Sequence, residues 1–314
     1  MSPVRLDDRG REVEQRAVPP RRVRLPRAAL DRLARLAAVE SPATRIVGAS
    51  GLPTGPDSRL GEPAAAAHEQ PVPDGDLDGA LAAAGLLHAG TPTAEGSAVL
   101  AVWHAPALAV DLEMLVVLRR GTVRVRSWHR NLDEWVVCLS TADGTSFELA
   151  WLSADDWWLE LGRAAHVDTR TLRPAADAEA FPHVVETPWE LLLATGEAVR
   201  RRRHDLLEQL VADHSGLTRA GATPDTLDAV DDSDVRHWHA QLEQSSSGRL
   251  HATVVGRSER GRPGAGIVEW VLLPGGWRSL TPFRRDGWTM VRIERVSAVD
   301  LPRALAVLAA EVTS

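Results

Sequence analysis

The chain spells the same order twice, four short strand-like runs and then an amphipathic helix, and that repetition constrains the fold more than any single motif. In the later copy, residues 249–255 alternate and are rich in β-branched side chains, and 267–273 form a nearly continuous apolar run closed by Pro274, Gly275 and Gly276. Residues 277–280 follow that turn, and 287–296 alternate Trp288, Met290, Val291 and Ile293 with Thr289, Arg292 and Glu294 after Arg-Arg-Asp-Gly. Ser297 then stands three residues before Asp300, with Pro302 in the first turn and Leu301, Leu305, Leu308 and Val312 on one stripe, a capped helix start. The earlier copy has runs at 110–118, 122–129, 134–140 and 146–153, and Ser153 three residues before Asp156 opens a helix over 154–165 carrying Trp157, Trp158, Leu161 and Ala165. Ala142-Asp143-Gly144 precedes the fourth run there, as Arg285-Asp286-Gly287 does later. A meander has one wet face and one that its helix must cover. The repeat therefore predicts an α+β fold with a central, largely antiparallel sheet built from two pseudo-twofold-related ββββα halves.

Around these copies the pattern is helical. Residues 1–24 are assigned to a disordered tail, charged and without period over most of its length. The run 25–39, with Pro26 at its start and Leu30, Leu33, Leu36 and Ala37 on a stripe, predicts a helix, and 41–75, rich in Pro, Gly and Ala, a linker. Helices are expected over 77–87, ending near Gly85, and 95–104, before Pro106. Residues 171–186 read as a connector with Pro174 and Pro182, 189–212 as one long helix opened by Thr187 and Pro188, and 224–230 and 233–244 as one or two more helices. One domain over 25–314 results, with an N-terminal half (25–170), a helical insert (187–245) and a C-terminal half (248–312).

Composition narrows the chemistry. The 314 residues, 44% of them hydrophobic, suffice for a real core, and a net charge of −7 argues against nucleic acid or an anionic membrane as partner. The single cysteine, Cys138, rules out an intrachain disulfide and a cysteine zinc site. No apolar run approaches the ~20 residues of a membrane helix, and the start lacks a signal-peptide core, so a cytoplasmic protein without membrane insertion is expected. The sequence contains no lysine, which closes off Schiff-base and P-loop chemistry.

The remaining constellations point away from catalysis. Asp231, Asp232, Asp234, His237 and His239 cluster in sequence, but residues two apart on a helix diverge, and aspartates at a helix start complement its dipole, so no metal is expected. The glycine-rich run 261–266 reads as a mobile hairpin loop, since neither a helix nor a lysine follows it. Cys138 lies in a strand pattern and reads as structural, and no G-x-S-x-G elbow occurs. Arg200 to Arg203 read as the solvated face of the long helix or a patch for an acidic partner. Catalytic residues and cofactors are therefore expected to be none. Trp128, Trp135, Trp270, Trp277 and Trp288 fall in or beside the two meanders, close in sequence to Arg124, Arg126, Arg278 and Arg292, and Trp238 lies in the insert. Tryptophan and arginine are the residue types most enriched at binding hot spots, which makes these ten the candidate partner-binding set.

The order Gly-Arg-Leu-His-Ala-Thr-Val-Val from Gly248, a glycine-rich hairpin, an apolar strand turning through Gly275-Gly276-Trp277-Arg278, Asp286-Gly-Trp-Thr-Met-Val and a leucine-rich helix resembles the EspG family of ESX (type VII) secretion-associated chaperones. Leu81-Ala-Ala-Ala-Gly-Leu-Leu, and His104-Ala105-Pro106 before Val110-Asp-Leu-Glu-Met-Leu-Val-Val, extend the resemblance over most of 25–312. The chain departs from it in the Arg-rich tail, in the long Pro/Ala linker, and at Gly276-Trp277-Arg278, where family members tend to have Gly-Arg-Tyr. The resemblance implies helical bundles flanking the sheet and a non-enzymatic cytosolic chaperone, a monomer or weak homodimer. Its partner would be a helical secretion substrate, a PE/PPE-like or WXG100-like heterodimer, held by its apolar tip until export. The alternative is a small-ligand-binding or enzymatic domain with its site between sheet and insert.

Overall fold

A computed structural model describes residues 21–42, 73–142, 144–172, 181–258 and 261–314. The expected linker over 41–75 and the first 20 residues of the expected tail lie almost wholly outside the described residues. The described chain begins instead with strand β1 (Arg21–Pro26), paired antiparallel with β7 (Ser146–Ser153), so residues 21–24 belong to the sheet. Its three arginines and closing proline suit an edge strand, because charge and a missing N–H discourage further pairing.

The first half continues with α1 (Arg27–Leu36), α2 (Asp74–Ala83), a short hairpin β2 (Leu87–His88) and β3 (Thr91–Pro92), and α3 (Ala94–His104). The meander β4 (Leu108–Leu118), β5 (Gly121–Leu132), β6 (Trp135–Thr141) and β7 follows, then α4 (Ala154–Ala164), which Ser153 caps by accepting from the Asp156 N–H. The second half repeats this order. Strand β8 (Val184–Pro188) leads through Pro188 into α5 (Trp189–Arg200), then α6 (His204–Asp213), a hairpin β9 (Arg219–Gly221) and β10 (Leu227–Ala229), and α7 (Asp232–Gln244). The meander β11 (Gly248–Arg257), β12 (Pro263–Leu273), β13 (Gly276–Arg285) and β14 (Trp288–Arg295) ends in α8 (Asp300–Thr313).

One 12-stranded antiparallel sheet runs through both halves in the order β1-β7-β6-β5-β4-β11-β12-β13-β14-β8-β9-β10. The halves meet where β4 pairs with β11, with Leu112 opposite Ala252 and Glu113 opposite His251, so the pseudo-twofold passes between these two strands. The duplication is broader than the ββββα unit: each half also has a leading strand that ends in proline, pairs with its own fourth meander strand, and feeds a helix.

The two faces of the sheet are covered differently. On one, α4 and α8 seal a core of Val110, Leu112, Leu152, Trp157, Leu250, Ala252, Trp270, Trp277 and Leu305. On the other, α1 to α3 cover β5 to β7 around Leu81, Leu100, Trp103 and Leu149, and α5 to α7 cover β12 to β14 around Val271, Val291 and Ile293.

Several sequence expectations change. The long helix over 189–212 is two helices: Arg202 takes a left-handed φ of 55°, the Arg203 N–H reaches the Ala198 carbonyl and the Arg202 N–H that of Val199. This is a Schellman-type stop with arginine where glycine is usual, so the arginine run is a turn. Residues 227–229, expected as helix, pair with β9, and the connector contains β8, too short and apolar to announce itself between prolines. The glycine run is not all loop. Residues 263–266 open β12 beneath α8, where a Cβ on Gly264 would lie 2.9 Å from Val312 Cα; glycine there lets helix and sheet touch.

Candidate partner-binding surface

Because β4 and β11 lie between the two helical bundles, their outward face stays open. Cross-strand pairing places Ala109 with Val255, Asp111 with Thr253, Glu113 with His251 and Leu115 with Arg249 along it. Arg124 and Arg126 of β5 and Ile267 and Glu269 of β12 extend it to either side. Leu115, Val255, Ile267 and, on α5, Leu193 are exposed apolar side chains, the last two more than half so. Charges between them are largely matched: Arg124 reaches Glu113 at 2.6 Å, Arg130 reaches Asp111 at 2.6 Å, and the His251 imidazole lies 3.3 Å from Glu269. The Glu269 carboxylate holds the His251 pKa above its ordinary value, and the histidine lowers that of Glu269. Where α5 and α7 overhang β11 to β13, a cleft of about 350 Å³ opens among Trp189, Leu192, Leu193, Leu242 and Leu280.

The ten candidate residues do not form one surface. Arg124 and Arg126 lie on the open face. Trp128, Trp270 and Trp277 are buried, Trp277 Nε1–H donating to the Ala165 carbonyl at 2.9 Å, and they serve the cores of both faces. Arg278 is buried too, its guanidinium 5.6 Å over the Phe181 ring, and burial lowers its pKa to about 10. Trp238 packs at a tilt against Phe181, ring centroids 6.4 Å apart. Arg292 joins Arg285 on the buried Glu186 carboxylate, at 2.8 and 2.6 Å. Trp288 and Trp135 are exposed but sit in outer strands, Trp288 edge-on to His214. Sequence reasoning missed Leu115, Leu193, Val255 and Ile267, whose exposure becomes evident only once strand order is known.

One buried constellation has the outline of a nucleophile–base pair. Trp157 Nε1–H donates to His129 Nδ1 at 3.1 Å, which puts the imidazole proton on Nε2, 3.0 Å from Ser127 Oγ; Cys138 Sγ lies 2.9 Å from the same Nδ1. Burial pushes the histidine down to about 3 and the thiol up, the reverse of activation. This is a packed polar network. His239 of α7 is likewise buried and pushed by burial down to about 4, donating to Thr195 Oγ1 at 2.6 Å and accepting from Thr187. His237, two residues away, is exposed, so the two histidines diverge as helical spacing requires. Among the described residues no three His, Cys, Asp or Glu side chains are placed to share a metal ion, and no helix is long and apolar enough to cross a membrane.

The architecture defines a class: an α+β protein with a duplicated antiparallel sheet and paired helical bundles around an open central face. No family model and no curated protein matches the chain. Among solved structures it is similar to the Mycobacterium tuberculosis type VII secretion system chaperone EspG5, determined in complex with the PE25-PPE41 dimer, with a TM-score of 0.54 at 12% identity, covering 93% of this chain and 95% of that one. The likeness is one of fold.

Proposed function

We propose that the protein is a non-enzymatic chaperone of a type VII secretion pathway, which binds the apolar tip of a PE/PPE-like helical heterodimer and keeps it soluble for export. The observation that carries this reading is the open face of β4 and β11 with its exposed Leu115, Val255 and Ile267, overhung by the helices bearing Leu193. Exposed apolar side chains set among matched charges on an uncovered sheet face suit a protein partner, and a helical tip laid in a groove is an established way to cover them. Likeness of fold over most of the length of a chaperone solved with such a dimer supports the kind of partner. Its docking surface would be the sheet face together with the helices of residues 189–244. Co-expression with helical-hairpin proteins encoded beside it, followed by size exclusion, tests the reading: a stable complex is expected, and failure with every such pair would overturn it.

A further inference from the structure

Across the pseudo-twofold from the α5–α7 cleft lies its counterpart in the first half. The Ala107 N–H meets the Asn131 carbonyl at 2.8 Å, as the Ser247 N–H meets that of Leu272 at 2.8 Å, so the α3–β4 junction and β5 stand where the α7–β11 junction and β12 stand. The strand pair Asp111–Trp128 takes the place of His251–Glu269. The space enclosed is about 740 Å³, within the range of built ligand pockets and larger than its mate.

Its chemistry differs from that of the mate. In the α5–α7 cleft every charged side chain has a partner: Arg200 with Glu197 and Glu243, Arg249 with Glu243, and His251 with Glu269. In the first-half cleft Arg130 is held by Asp111 and lies 5.0 Å over the Trp103 ring, but Arg257 at the rim is exposed and has no ion-pair partner among the described residues. His104 lines the same wall, and its buried Nε2 has no hydrogen-bond partner there. The remaining walls are apolar, with Trp128, Val255 and Pro263. An aliphatic group would fill this space, and a carboxylate beside it would meet the free guanidinium of Arg257 at the rim.

We propose that this cleft is a second recognition site, for an acidic, apolar peptide segment in which an aliphatic side chain neighbours a carboxylate. It shares Ala109, Asp111, Thr253 and Val255 with the open face, but Arg257, Pro263 and the end of α3 set it apart. Its probe is a short peptide, not a folded heterodimer, so its failure is distinguishable from failure of the cargo reading. The test is fluorescence anisotropy with a labelled peptide of alternating Leu and Glu, against peptides of alternating Leu and Lys and alternating Ser and Glu. The Leu-Glu peptide is expected to bind saturably and the other two at least about tenfold more weakly. Arg257→Glu, which reverses an exposed charge, and Ala109→Trp, which fills the cleft, should each weaken the Leu-Glu peptide about tenfold. Leu193→Asp in the other cleft should leave it unchanged, with circular dichroism reporting the fold of each variant. Absence of saturable binding, equal binding of the Leu-Lys peptide, or sensitivity to Leu193→Asp but not to Arg257→Glu would overturn the proposal.

Discussion

Acidification should loosen this protein through two histidines that the fold buries neutral. The imidazole of His129, beneath α4, is held down to about 3, chiefly by burial and then by Arg130, and that of His239 to about 4 by burial. In the unfolded chain both return to ~6.5. Folded values that are depressed mean the unfolded state binds the extra protons, so the stability is fully present above ~6.5 and falls as pH drops toward the folded values. Between pH 7 and pH 5 each histidine should cost about 2 kcal/mol, hence about 4 kcal/mol together. With an unfolding entropy of ~2.1 cal/mol/K per residue over the chain's 314 residues, Tm should fall by about 6 °C. His251, raised by Glu269, has the opposite sign, but it is half-exposed and solvent screens its contribution. Guanidinium unfolding at a series of pH values, followed by tryptophan fluorescence, measures the slope. His129→Gln with His239→Gln should flatten it even if both lower stability overall. A wild-type stability that is level or rises from pH 7 to pH 5 would refute the reasoning.

Three further outcomes follow from packing. Gly264→Ala pushes a Cβ to 2.9 Å from the Val312 backbone and should cost about 1–3 kcal/mol in denaturant unfolding; a neutral result would mean α8 yields. Arg202→Gly relieves a left-handed φ of 55° at an exposed turn and should leave the protein as stable or gain about 0.5 kcal/mol, whereas Arg202→Val should lose stability at the same site. Cys138, its pKa raised by burial, should react with a thiol-specific reagent at least about tenfold more slowly in the native protein than in guanidinium.

What the sequence declares and what it withholds divide along physical lines. The meanders and helix starts were legible because period-2 alternation, Asp-Gly turns and the Ser153–Asp156 and Ser297–Asp300 pairs are local signals; both pairs recur as hydrogen bonds, although Ser153 caps α4 while the N-cap residue of α8 is Val299. The Arg202 stop was not, because a left-handed arginine leaves no glycine to read. Strands β8 to β10 are too short to show a period and exist through their partners. The candidate surface was hardest. Tryptophans 128, 270 and 277 look alike in sequence whether they face a core or a partner, and the exposed Leu115 and Ile267 look like strand core until β4 is known to lie beside β11. Arg292 was legible as charged but not as half of a clamp on Glu186.

Hydrogen exchange on the protein alone and bound to a PE/PPE-like heterodimer tests the central claim most directly. The account predicts added protection along β4 and β11 and over α5 and α7, and loss of the complex with Leu193→Asp or Ile267→Asp but not with Val307→Asp on exposed α8. Protection confined to α4 and α8, or a complex indifferent to both Leu193→Asp and Ile267→Asp, would contradict it.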